Sequence, residues 1–199
     1  MARQLALDLP QWGGRRAGAG RPRQHARPGL RGTEVPHLRR PELSQRHPVH
    51  VTLRVGPGVG YLRTQRRAAL LAQAFCAAHL RFGLRIVHYS IQGNHLHLIV
   101  EAADANSLSR GMQGLCIRIA RRLNALAART GSVFVDRYHA HVLVSRREVA
   151  NAVRYVLDNF RHHAREKLPR GWRDPLSTAA APLSAPGTWL LRMVGRAPS

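Results

Sequence analysis

The chain is poor in acid. Of its 199 residues, 10 are Asp or Glu against 32 Lys or Arg, and the formal charge is +22. It also has almost no lysine, since Lys167 is the single one and every other basic residue is arginine. A guanidinium is a planar fork of donors that grips phosphate bidentately and stacks on bases, so this imbalance points to nucleic acid as the partner. Genome base composition can explain arginine in place of lysine, but not the excess of base over acid. A hydrolase of small nucleotides is disfavoured on the same ground, because a mononucleotide needs no such extended field.

Cysteine is scarce too. Cys76 and Cys116 sit in apolar, helix-like stretches with no second cysteine nearby. That pattern excludes zinc ribbons and disulfide scaffolds, and both are expected as reduced core residues. No run approaches the ~18–20 apolar residues of a membrane span. The stretch Met1 to Trp12 lacks the sustained apolar segment of a secretory signal. The expected setting is cytoplasmic and nucleoid-associated, with no membrane partner.

At 44% hydrophobic, the chain has material for the core of one domain. Residues 1–45 are rich in Gly, Pro and Arg and are expected as a flexible basic arm, with Arg15, Arg16, Arg21 and Arg23 meeting DNA. Gly20-Arg21-Pro22-Arg23 suits an extended arm in a narrow minor groove; the plainer alternative is a solvated tail touching phosphates without preference. Residues 46–168 form the expected domain, and 169–199 a loosely packed tail with a short docked piece at Trp189-Leu190-Leu191.

Within the domain, strand and helix patterns alternate. His47 to Val55 alternates apolar and polar residues and predicts a strand, broken by Gly56-Pro57-Gly58. Thr64 to Phe82 has helical spacing and stops at Gly83. Arg85 to Gln92 and Asn94 to Glu101 read as a hairpin turning at Gln92-Gly93-Asn94. Ser107 to Arg129 carries Leu108, Met112, Leu115, Ile119, Leu123 and Leu126 at steps of three and four, with Ser107 as N-cap. Val133 to Val144 is β-like, and Arg146 to about Arg165 is helical along Val149, Val153, Val156, Leu157 and Phe160. The order β-α-β-β-α-β predicts an α+β fold: a ferredoxin-like, split βαβ antiparallel sheet with an added C-terminal helix. The first and third strands then lie side by side in its middle.

The second hairpin strand carries His95 and His97. Residues two apart in a strand share a face, so the two imidazoles project together, away from Leu96 and Leu98. Such a pair suits a divalent cation, although two exposed histidines on an amphipathic strand would look the same. His139-Ala140-His141 repeats the pattern and is a rival, with phosphate contact by Arg137 or packing as the first reading there. The last helix places Tyr155 and Asn159 four apart, on one face beside its apolar stripe. A phenol attacks a phosphodiester when a metal polarises the phosphate, and Asn159 can offer that metal an oxygen. Arg154, Arg161, His162, His163 and Arg165 surround the tyrosine as a basic face for the DNA backbone.

Together these pieces resemble a known group. Asn94-His95-Leu96-His97-Leu98 is similar to the His-hydrophobic-His motif of the HUH single-strand nucleases. Arg154-Tyr155-Val156-Leu157-Asp158-Asn159, after Arg137-Tyr138-His139 and Ser145-Arg146-Arg147-Glu148, resembles the IS200-like single-tyrosine transposases, above all the REP-associated ones. The resemblance spans about residues 45–165. It implies that His95 and His97 bind Mg²⁺ or Mn²⁺, with Asn159 completing the site where some relatives use Gln. It further implies that Tyr155 attacks a scissile phosphate of single-stranded or hairpin DNA, forming a 5′-phosphotyrosine link and freeing a 3′-OH. Relatives act alone or as homodimers with shared sites. The alternative is a non-catalytic, structure-specific DNA-binding protein derived from a transposase, which would have no use for this trio.

Overall fold

β1 (Val49–Arg54) buries every second residue, and its partners set its place in the middle of a four-stranded sheet. A computed structural model describes residues 42–163 and 168–194. The expected arm with Arg15, Arg16, Arg21 and Arg23 lies outside these residues, as does Arg165. The sheet order is β2 (Leu84–Ile91), β3 (His95–Ala102), β1, β4 (His139–Val142), all antiparallel. This is the split βαβ arrangement expected from the pattern, with β1 and β3 central.

α1 (Gln65–Ala78) and α2 (Ala105–Leu126) cover one sheet face, where Leu53, Leu71, Phe75, Leu96, Leu98, Met112, Leu115 and Ile119 are all but fully buried. Two boundaries differ from the sequence reading. α1 ends at Ala78 rather than Phe82, because Leu80 and Phe82 turn into the left-handed region (φ 62° and 54°) and reverse the chain into β2. The N-cap of α2 is Asp104 rather than Ser107: its Oδ1 accepts from the Ser107 N–H at 2.7 Å. Cys76 also departs from expectation, being exposed on the outer side of α1, while Cys116 is half-buried and its thiol is pushed up to about 12 by burial.

The other sheet face is not open. α3 (Arg146–His163) and α4 (Trp189–Val194) cover it, packing Val149, Val156, Leu190 and Leu191 on Val87, Ile99 and Leu143. Nor is the C-terminal segment a loose tail. It follows the free edge of β2, where Ile91 N–H donates to the Leu176 carbonyl, Thr178 N–H to Tyr89 and Leu183 N–H to Val87. The buried Glu101 carboxylate accepts from the N–H groups of Gly187 and Thr188 (2.9 and 2.7 Å), fixing the start of α4.

Arg63 clamps this segment to the body. Its two Nη atoms donate to the Asp174 carboxylate at 2.8 Å each, Nη1 also reaches the Ile91 carbonyl, and the guanidinium lies 3.7 Å over the Phe160 ring. Both side chains are buried, at 8% and 1% exposure. Asp174→Ala strands a buried guanidinium, and urea unfolding should show a loss of about 3–5 kcal/mol. A loss below about 1 kcal/mol would show the clamp to be ornamental.

Candidate active site

The sheet face that α3 covers carries polar side chains of β1 and β3. Register pairs Thr52 with His97 and Arg54 with His95 across β1 and β3, so these residues share the face under α3. His97 is 4% exposed, and its Nδ1 lies 3.2 Å from both His50 Nε2 and Thr52 Oγ1. His95 is half-buried, and its Nδ1–H donates to Asn94 Oδ1 at 2.8 Å. The two imidazoles meet edge to face with centroids 4.8 Å apart. Each imidazole thus has its Nδ1 held by a neighbouring side chain.

α3 starts where it does because Ser145 and Glu148 form a capping box. Glu148 Oε2 accepts from the N–H groups of Val144 (2.7 Å) and Ser145 (3.0 Å), and Ser145 Oγ accepts from the Glu148 N–H. These backbone donors, Val144 first, hold the Glu148 carboxyl below its usual range. From that anchor, Val149 and Val156 seat the helix on the sheet and bring Tyr155 against His97 and His50. The Tyr155 ring stands edge-on to His97 with centroids 5.2 Å apart and to His50 at 5.9 Å, while 44% of the residue stays exposed. Asn159 is fully buried, and neither its Oδ1 nor its Nδ2 has a hydrogen-bond partner.

The Asn159 amide is an orphaned polar group on the helix that carries Tyr155, and an amide oxygen with imidazole nitrogens is a donor set suited to a divalent cation. Among the described residues, no three His, Cys, Asp or Glu side chains gather into a cation site.

His50 and Thr52 went unnoticed in the sequence. The alternation of β1 puts both on its polar face, and only the β1–β3 pairing brings that face under α3. Burial, then His141 and His139, lower the His50 pKa to about 4; burial alone lowers that of His88, also to about 4. Both folded values lie below the unfolded value near 6.5, so below that pH the unfolded chain takes up protons that the folded chain refuses. Stability should therefore fall between pH 6.5 and about 4, by up to about 3 kcal/mol per histidine. Urea midpoints across that range measure it, and His88→Gln should flatten part of the slope. A flat profile would show that neither imidazole is held neutral.

The remaining predicted residues divide. His139 and His141 are exposed on edge strand β4, in register with Thr52 and His50, so the rival pair shares the site's face but stands beyond β1. Arg154 is exposed beside Tyr155. Arg161 spends its guanidinium on the carbonyls of Leu168, Pro169 and Trp172, closing the turn after α3. Arg137 is half-buried, with its Nε sealed from solvent. No helix among the described residues is long and apolar enough to cross a membrane.

The model of the family described as "Transposase IS200 like" matches residues 45–159, more than half of the chain. No curated protein matches it. Among solved structures, a REP-associated tyrosine transposase bound to a REP hairpin is similar with a TM-score of 0.56 and 17% identity, over 72% of this chain and 82% of that one. A protein of Deinococcus radiodurans R1 assigned as a transposase aligns with a TM-score of 0.42 and 15% identity, over 62% of this chain and 95% of that one. With a family match that runs from the turn before β1 through the tyrosine helix to Asn159, the chain belongs to the IS200-like transposases.

Proposed function

We propose that the protein is a metal-dependent single-stranded DNA endonuclease and strand-transferase in which Tyr155 is the nucleophile. What supports this most is one contact: within a single chain, the Tyr155 ring lies against His97, whose imidazole shares a face with that of His95. These three groups are brought together by one chain, and a homodimer with shared sites is the other arrangement this reading admits.

In this reading His95, His97 and Asn159 hold Mg²⁺ or Mn²⁺. The bound cation would polarise the scissile phosphate and fix it for in-line attack. The Tyr155 oxygen forms a bond to phosphorus and gives up its proton. The bond from phosphorus to the 3′-oxygen breaks, and that oxygen leaves as a 3′-OH after taking up a proton. A 5′-phosphotyrosine link remains, and attack by a 3′-OH on it rejoins the strand and releases the tyrosine. Thr52 and His50 hold the His97 ring from behind, and Arg154 lies where it can meet a backbone phosphate. The REP-associated relative was solved with a REP hairpin, and a DNA hairpin with single-stranded flanks is the substrate proposed here.

Two imidazoles and a neutral amide contain no carboxylate, the ligand on which protein Mg²⁺ sites chiefly rely. A 5′-labelled hairpin library incubated with the full chain should therefore give more covalent adduct with Mn²⁺ than with Mg²⁺, and none with EDTA. Equal adduct in EDTA would refute the metal role. Retarded DNA without adduct under every condition would favour the non-catalytic DNA-binding protein.

A further inference from the structure

The loop between β1 and α1 holds an aromatic ring in solvent. Tyr61 is 57% exposed, yet the chain on either side of it is fixed. Leu62 is fully buried, and its N–H donates to the Gly93 carbonyl at 2.8 Å. Arg67 Nη1 donates to the Tyr61 carbonyl at 3.3 Å. Gly60 takes a φ of 81°, and the same guanidinium packs where its side chain would be.

The ring itself lies against Gly93. A Cβ there would fall 2.8 Å from Tyr61 Cε2, so a side chain at position 93 would push the ring away. Gly93 belongs to the β2–β3 turn, two residues before His95. Val55 N–H donates to the Asn94 carbonyl at 2.9 Å and ties that turn to the end of β1. The ring therefore stands at the sheet end from which His95 projects. Arg54, in register with His95, is exposed.

An anchored but exposed aromatic face loses little freedom when a ligand lands on it, and every nucleobase has a flat face to offer. The exposed Arg54 guanidinium supplies charge for a flanking phosphate. We infer that Tyr61 is a stacking platform for an unpaired nucleobase of the strand whose scissile phosphate is held at His95 and His97. The inference rests on the DNA-cleaving reading of that site and adds to it a subsite that tolerates any base but requires one.

The test uses the full chain carrying Tyr155→Phe, so that DNA stays uncut. Hairpins with a single abasic position stepped through the single-stranded flank are titrated by fluorescence anisotropy. With Tyr61 present, one abasic position should weaken binding about tenfold. Tyr61→Ala should weaken binding of the intact hairpin by a similar factor and lose its sensitivity at that one position. Tyr61→Leu, which keeps the apolar contact with Gly93 and guards against a folding defect, should behave like Ala. Tyr61→Phe and Tyr61→Trp should keep the sensitivity, and Gly93→Ala should lose it. Unchanged position-specific sensitivity in Tyr61→Ala or Tyr61→Leu, with intact hairpins bound and cut by the Tyr155 protein, overturns the platform alone. Failure to bind any hairpin overturns both the platform and the reading beneath it.

Discussion

Tyr155→Phe should abolish the covalent adduct and lower strand cleavage by at least about 10³-fold, while hairpin affinity stays within about twofold. The substitution removes one hydroxyl and keeps the ring that meets His97 and His50. Because Tyr155 is nearly half exposed, unfolding stability should move by no more than about 0.5 kcal/mol. Denaturing gels, anisotropy and thermal melts measure the three quantities separately. Parallel loss of binding and cleavage would make Tyr155 a structural residue. Cleavage that persists in the variant would assign the attack to water or another side chain.

Asn159→Leu should have the opposite signs on stability and activity. Both polar atoms of Asn159 are buried without partners, a state that costs about 1–3 kcal/mol in a folded protein. Leucine has the same branched heavy-atom skeleton as asparagine, though with bulkier methyl groups, and leaves no amide to satisfy. The metal-free variant should gain on the order of 1 kcal/mol and melt a few degrees higher. Its metal-dependent adduct should fall by about 10²-fold, since a ligand to the cation is gone. Asn159→Asp supplies the control: a buried carboxylate should destabilise the metal-free protein, and Mn²⁺ should restore much of the loss. A leucine variant that is less stable yet fully active would make Asn159 a packing residue. Such a trade is what a site held ready for a ligand should show.

Much of this architecture is legible in local pattern. The period-two run of β3 put His95 and His97 on one face before any fold was known, and the three-four spacing from Leu108 to Leu126 marked α2. What local pattern omits is who lies opposite. The polar face of β3 reads as open in sequence, but α3 and α4 cover it, and His97 is buried in consequence. His50 becomes part of the site only through a pairing across 47 positions. The Arg63–Asp174 clamp spans 111 positions, in a segment whose Pro, Ala and Ser content suggested a loose tail. β4 is shorter than its β-like stretch because the pairing with β1 is interrupted around Asp136, whose Oδ1 accepts from the Arg137 N–H, and resumes only as a bridge between Phe134 and Val55. Among the cysteines, composition suggested burial, whereas Cys76 faces outward on α1.

The central claim is that one tyrosine of this chain becomes joined to DNA. The most direct measurement digests the Mn²⁺-dependent adduct with protease and nuclease and sequences the nucleotide-bearing peptide by mass spectrometry. The account predicts a peptide containing Tyr155 with a 5′-phosphate linked to its oxygen, and a free 3′-OH on the released strand. A nucleotide attached to Tyr61, Tyr89 or Tyr138, or a 3′-phosphate linkage at Tyr155, would contradict it.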